Sequence, residues 1–404
     1  MTGAFSLLTD GTVTSARGFK AGAVAAGIKP SGKTDLGMLV SEQVCVAAAT
    51  FTQNSFPAGP VLVSRERVKA RGRAQAIVFN SGNANACNGE RGLADAREMT
   101  SIAGVLLGLE PELVLVASTG VIGQTLPMAK IRDGLARVTV RADGGAEAVQ
   151  GIMTTDTRPK TSGASLEVDG REVRIGAMTK GVGMIHPNMA TMLAFLATDA
   201  ALEPAFAAAV VKRVVDRSFN MVTVDGDTST NDSCFLLANG MAGAPALAQG
   251  TPAAERFEAA LEAVCVELAR AMASDGEGAT KLIQVDVTGA RTLEDARAVA
   301  RSVVRSSLVK AAVHGEDPNW GRVFAAAGNS GAEVDYRRAA LWLGSVQIAR
   351  DGVGLGVPRE EGRFQMTGPE VQLRVDLGLG SAEARAWGCD LTEAYVVENS
   401  AYTT

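Results

Sequence analysis

The chain has 404 residues, 47% hydrophobic and only 4% aromatic, with 45 glycines and a formal net charge of −5. Such a length allows two or three domains and a large core built from closely packed Ala, Val, Leu and Ile. The acidic balance excludes nucleic-acid and anionic-membrane partners, which call for a basic face. Five cysteines, odd in number and with no C-x-x-C pair, fit reduced and mostly buried thiols of a cytoplasmic protein. The first ten residues lack the basic and apolar stretches of a secretory signal, and no run reaches the roughly 18 apolar residues of a membrane helix.

Residues 27–34 (GIKPSGKT) fit the phosphate-loop pattern G-x-x-x-x-G-K-[ST] letter for letter. A phosphate loop needs a helix directly after it, so that helix-terminal amides face the phosphate. Here Gly37 sits in the would-be first turn, and Val40, Val44, Val46, Thr50 and Phe51 favour extended chain. The stretch therefore reads as a basic turn between strands, with a nucleotide site as the competing reading.

Residues 76–79 and 113–117 are short apolar runs ending in small polar residues, as in buried strands that deliver loops. Residues 126–138 and 146–153 read as helices. Residues 165–175 form a hairpin about Asp169-Gly170, a strong turn signal. Thr251-Pro252 opens a helix with the apolar stripe Phe257, Leu261, Val264, Leu268 and Met272. Thr292, with Asp295 three residues on, opens another, whose buried face is Leu293, Ala296, Val299, Ala300, Val303 and Val304. The pattern predicts a mixed α/β protein with sheets covered by helices.

Residues 225–232 (DGDTSTND) carry acids spaced somewhat like a calcium loop, but the bidentate Glu is missing. A turn supporting a site is expected there, and no metal. His186 and His314 are the only histidines, and no G-x-S-x-G elbow accompanies them. Both are expected to serve as structural hydrogen-bonders.

Ala190-Thr191 lies between a glycine-rich, proline-marked loop and an apolar run that reads as a buried strand. A Thr at such a junction can attack the peptide bond before it. The product starts with a hydroxyl beside a free amine, a nucleophile with its own base. An α-amine titrates near pH 8 and suits a general base at neutral pH, so no histidine is required. The attacked carbonyl needs hydrogen-bond donors. The turn at residues 117–123 (ASTGVIG) after a buried strand is the best candidate, with the Thr119 hydroxyl and the Gly120 amide as the oxyanion hole.

These segments, together with residues 80–86 (NSGNANA), 153–157 (MTTDT), 180–191 (KGVGMIHPNMAT), 275–281 (DGEGATK), 317–322 (DPNWGR) and 399–404 (NSAYTT), make the chain resemble the ornithine acetyltransferases. These are also called the glutamate N-acetyltransferases of arginine biosynthesis. The resemblance runs end to end. It implies a layered α/β sandwich of the αββα type, that of an autoprocessing N-terminal-nucleophile enzyme, with a smaller C-terminal α/β part. It implies cleavage between Ala190 and Thr191 into an α chain (residues 1–190) and a β chain (residues 191–404), assembled as an α2β2 heterotetramer. Thr191 is then the nucleophile and Thr119 and Gly120 the oxyanion hole. Thr154, Lys180, Thr191, Glu277, Asn399 and Thr404 match the substrate-binding positions. The implied reaction moves acetyl from N-acetylornithine to glutamate in two ping-pong steps. No cofactor is expected to be bound, and acetyl-CoA enters as a second donor. Lys180 suits the substrate carboxylate; Glu277 or a Thr404 carboxylate suits the ammonium, and the absence of a polar tail after Thr404 agrees with a terminus packed in the pocket. A self-processing aminopeptidase or amidase with the same Thr is the alternative; only a transferase would lose its acyl donor faster when an amino-acid acceptor is added.

Overall fold

The structure is a computed structural model that describes residues 5–186 and 192–401. Ala190, Thr191 and Thr404 lie outside the described residues. The strands form two sheets. The first runs Ser6–Leu7, Lys160–Val168, Arg171–Lys180, Leu193–Thr198, Ser233–Ala238, Leu36–Phe51, Arg73–Asn80, Val114–Ser118, with Phe19–Val24 also paired to Leu36–Phe51.

Leu36–Phe51 explains the layering. Its first half pairs with Phe19–Val24 and Arg73–Asn80, its second with Ser233–Ala238, and its register on Arg73–Asn80 shifts between Val40 and Cys45. Such an irregularity bends a strand, and here the sheet folds over itself. Phe79 and Phe195, on strands that are not sheet neighbours, meet at 5.4 Å between ring centres. Phe195 touches Phe235 in turn at 5.7 Å, so the few aromatics fill the space between the two β layers. Leu193–Thr198 is buried on both faces: Leu193, Phe195 and Ala197 point into this inner layer, Ala194 and Leu196 to the opposite side. The helices Pro204–Arg217 and Pro252–Ser274 cover that opposite side. The outer face of the other layer, with Ala76, Val78, Val114 and Val116, lies under Gly59–Arg71, Gly89–Leu107 and Met128–Leu135. The result is an α-β-β-α sandwich.

The second sheet runs Val353–Gly354, Val346–Arg350, Ala340–Leu343, Glu370–Asp376, Leu282–Ala290, Ala382–Cys389, Val222–Thr223. Leu293–Arg305 packs on its central strands, and Pro252–Ser274 touches both sheets. This is the smaller C-terminal α/β part.

Local signals produced their elements. The Asp169-Gly170 turn joins Lys160–Val168 to Arg171–Lys180, both turn residues at positive φ. The Thr251 hydroxyl accepts the Ala254 N–H at 3.2 Å and starts Pro252–Ser274. Thr292 likewise accepts from Asp295 N–H, but the Asp295 carboxylate turns to the Thr292 hydroxyl, at 2.7 Å, rather than completing a capping box. Leu293, expected on the buried face, is 46% exposed: as the first helical residue it precedes the turn that meets the sheet. Of the two expected helices in the middle of the chain, the first is shorter, Met128–Leu135, and the second keeps its length one residue earlier, Gly145–Ile152. Four cysteines are buried, Cys87 is exposed, and all five are free thiols. Among the described residues no helix is long and apolar enough to cross a membrane.

Candidate active site

Val114–Ser118 is parallel to Arg73–Asn80, and both strands end in the same polar knot. The Ser118 hydroxyl donates to Asn80 Oδ1 at 2.6 Å, Asn80 Nδ2 to the Asn83 carbonyl at 2.9 Å, and Asn231 Nδ2 to the carbonyls of Ala84 (2.6 Å) and Ser118 (2.8 Å). The asparagines thus satisfy the loop carbonyls that the sheet cannot. Thr119 donates its N–H to the Asn80 carbonyl. That leaves its hydroxyl and the Gly120 N–H without hydrogen-bond partners among the described residues, beside a pocket. Gly120 has φ +129, and a Cβ there would lie 2.4 Å from the Gly82 carbonyl carbon. Only glycine can present its amide from this position.

The pocket, about 250 Å³, is lined by Thr119, Gly120, Thr154, Lys180, Glu277 and Asn399 among others. Every expected site residue that the structure describes therefore meets in one cavity. Lys180 ends its strand almost fully buried. Burial pushes its ammonium below the ordinary lysine value, Asp156, Glu277 and Asp232 pull it back up, and Lys160 opposes them. Glu277 is held through both oxygens: Thr155 Oγ1 donates at 2.7 Å and Asn399 Nδ2 at 3.0 Å. Gly183 makes room for it, since a Cβ there would stand 2.4 Å from Glu277 Oε2.

Beneath these charges lies an ion cluster. Lys160 Nζ, fully buried, donates to Asp156 at 2.7 Å and Asp275 at 2.5 Å. Asp156 also accepts the N–H of Gly181 at 3.0 Å and that of Thr154 at 3.0 Å. Burial works to raise the Asp156 carboxyl, but Lys180 and Lys160 prevail and hold it at about 2. One carboxylate thus fixes both the Thr154 and the Lys180 ends of the pocket.

The glycine-rich turn after Lys180 is pinned by Asp225, which accepts the amides of Met184 (2.5 Å) and Ile185 (2.9 Å). The acid-rich stretch at 225–232 thus supports the site, as expected. Past the undescribed residues, Met192 donates its N–H to Asp232 Oδ1 at 3.1 Å and accepts from the Ser233 N–H at 3.1 Å. Asp232 is fully buried and its Oδ2 has no partner among the described residues. Burial raises its carboxyl well above the ordinary range, against the hydrogen bond from Met192 and the charge of Lys180.

Asp35 rules out the phosphate-loop reading. Its carboxylate takes the amides of Ala26 (2.7 Å), Ile28 (2.6 Å) and Lys29 (2.9 Å), so the donors a phosphate would need are occupied. The next element is the strand Leu36–Phe51, not a helix. Neither histidine lines the pocket. His186 bonds the Thr223 hydroxyl at 3.3 Å, and burial with Arg305 and Arg301 nearby lowers it to about 4. His314 bonds Asp390 at 3.0 Å.

Residues 20–404 match the ArgJ family. The chain belongs to the ArgJ family. A relative from Symbiobacterium thermophilum named arginine biosynthesis bifunctional protein ArgJ is 51% identical over 98% of this chain and 99% of its own length. The protein of that name from Dehalococcoides mccartyi is 47% identical over the full length of both. A crystal structure of the arginine biosynthesis bifunctional protein ArgJ of Bacillus halodurans is 39% identical, with a TM-score of 0.50, and matches 52% of this chain and 98% of its own.

The structure adds residues to this ArgJ site that sequence reasoning did not assign to it: Thr155, Gly183 and Tyr395 line it beside Asp225 and Asn231 of the expected supporting turn, and Asp156 and Lys160 brace it. Thr155 and Asp156 sit inside the quoted MTTDT motif, so a signal existed. Tyr395 had one only in hindsight: it precedes Asn399 by four residues on the helix Glu393–Ala401, which puts both on one face.

Proposed function

We propose that this ArgJ-family member is an acetyltransferase of arginine biosynthesis that moves acetyl from N-acetylornithine to glutamate through an acetyl ester on Thr191. It also acetylates glutamate from acetyl-CoA. The observation that carries the reading is the pairing, in one pocket, of two unoccupied donors, Thr119 Oγ1 and Gly120 N–H, with opposite charges on Lys180 and Glu277. The donors suit a developing oxyanion. The charges suit a substrate with a carboxylate and an ammonium on either side of its acetamide. Met192, fixed by Asp232, is the residue bonded to Thr191.

Activation is cleavage of the Ala190–Thr191 bond. The Thr191 hydroxyl attacks the Ala190 carbonyl, the C–N bond gives way to an ester, and water hydrolyses that ester. Ala190 is left with a carboxylate and Thr191 with a free amine. The half-length chain of the Bacillus halodurans structure, matched by 52% of this chain, supports such a division. Residues 1–190 and 191–404 would then stay in one sheet, because Lys180 pairs with Leu193 across the cut.

In transfer, Thr191 Oγ attacks the acetyl carbonyl and its proton passes to the α-amine. Thr119 and Gly120 receive the oxyanion, each such donor being worth about 3–4 kcal/mol of barrier. The amide C–N bond breaks, and the ornithine nitrogen leaves with the proton held by the α-ammonium. The glutamate amine then attacks the ester, Oγ departs, and the proton returns to it. Lys180 meets the substrate carboxylate, Glu277 the ammonium, and Thr154, Asn399 and Thr404 complete the pocket. The two chains assemble as an α2β2 heterotetramer in the cytoplasm.

Incubation with N-acetylornithine alone should leave one acetyl group on the β chain by intact mass, and glutamate should discharge it as N-acetylglutamate. An enzyme that releases only acetate, at a rate that glutamate does not change, would contradict the reading.

A further inference from the structure

A second hollow, about 450 Å³, opens over the C-terminal sheet. Cofactor sites have volumes of this order. The half-buried Ala384 on its sheet wall, the half-buried Val266 and the exposed apolar Leu293 give it apolar surface, and Arg217, Arg297 and Arg385 contribute to its wall. Two of these cations are neutralised: Arg217 pairs with Glu262 at 2.9 Å, and Arg385 with Asp286 at 2.5 Å. Arg297 has no ion pair among the described residues. It begins a row on the helix Leu293–Arg305, continued by Arg301 and Arg305 at four-residue steps, which have none either. Residues four apart on a helix are neighbours, and like charges so placed repel. Arg297 and Arg301 are half-buried, which adds a solvation cost that an unpaired cation does not recover. The carboxylates facing Arg301, Asp216 and Glu294, act only from a distance, and Glu383, exposed on the rim of the hollow, has no ion pair among the described residues.

The row has a direction. Eight residues of helix span about 12 Å. At one end Arg297 lines the hollow. At the other, Arg305 lies against Gly226, whose Cβ would stand 3.4 Å from Arg305 Nε. Gly226 falls between Asp225 and Asp227, two residues lining the catalytic pocket. The charges of Arg305 and of Arg301, the middle member, are felt by His186, two residues after Met184 of that same pocket. A file of guanidiniums with no ion pair among the described residues therefore runs from the larger hollow to the turn that lines the smaller pocket.

We propose that Arg297, Arg301 and Arg305 bind the phosphates of coenzyme A, with its adenosine in the hollow and its acyl-bearing arm reaching the catalytic pocket past Gly226. The inference rests on the acetyl-CoA half of the proposed function. Planar guanidiniums match phosphate oxygens in pairs, and the apolar patches of the hollow suit a heteroaromatic base. An acyl thioester carrier has its phosphates and its reactive carbonyl at opposite ends, as the hollow and the pocket are here. Amino-acid donors lack the phosphates and should not sense the row.

The test uses the intact enzyme and the double variant Arg297→Gln/Arg301→Gln. With acetyl-CoA and glutamate the variant should raise KM for acetyl-CoA at least about tenfold, the loss of roughly one charge-assisted contact, while kcat holds. Calorimetric binding of coenzyme A should weaken alike and lose salt dependence. Transfer from N-acetylornithine should be unchanged, which also shows that the variant is folded. An unaltered KM for acetyl-CoA overturns the proposal. A wild-type enzyme that transfers from N-acetylornithine but neither uses acetyl-CoA nor binds coenzyme A overturns it too, together with the acetyl-CoA half of the function, and leaves the ornithine half standing.

Discussion

Thr119 and Gly120 offer the same kind of donor in different ways. Thr119→Ala removes a hydroxyl and little else, so it should cut kcat about 100- to 1000-fold with KM for N-acetylornithine nearly constant. Gly120→Ala keeps the amide but places a Cβ 2.4 Å from the Gly82 carbonyl carbon at φ +129. It should therefore also lower the melting temperature, by strain on the order of 1–3 kcal/mol. Steady-state kinetics and calorimetry on the two variants separate the effects. His186 makes a different prediction. Its folded pKa, about 4, lies below the unfolded value of 6.5, so the unfolded chain takes up the proton first. Stability is complete above pH 6.5 and declines as the pH falls toward 4. His186→Gln should flatten the dependence of melting temperature on pH across that window; an unaltered slope would contradict the burial assigned to the ring.

The elements show what a sequence can and cannot disclose. The Asp169-Gly170 hairpin and the helix capped by Thr251 were legible because a few neighbouring residues decide them. Thr119 and Gly120 were legible because a small polar turn after an apolar run is a local pattern. The bend in Leu36–Phe51 was not: the register shift between Val40 and Cys45 depends on which strands pair on each side. Folding the sheet over on itself is a consequence of that pairing, and so is the meeting of Phe79 with Phe195. The cluster of Lys160, Asp156 and Asp275 was illegible for the same reason, since Asp275 lies 115 residues from Lys160. Lys160→Ala should strand two buried carboxylates beside the pocket. A loss of about 3–5 kcal/mol is expected in chemical denaturation, with a rise in KM because Asp156 also holds Thr154 and Gly181. A change within experimental error would mean the cluster braces nothing.

In the molecule as a whole, the bent sheet, the C-terminal sheet and the helix Pro252–Ser274 that touches both form one body around the pocket. Strands before and after Thr191 are interleaved: Arg171–Lys180, Leu193–Thr198 and Ser233–Ala238 lie side by side. A chain cut in that region would keep its fold and would separate only when denatured. Everything assigned to Thr191 as nucleophile and base requires that cut, because an amide nitrogen cannot accept the hydroxyl proton. Mass spectrometry of the active enzyme after denaturation should therefore give two polypeptides, residues 1–190 and 191–404, and Thr191→Ala should give one uncut, inactive chain. A single intact chain in fully active wild-type enzyme would contradict the mechanism.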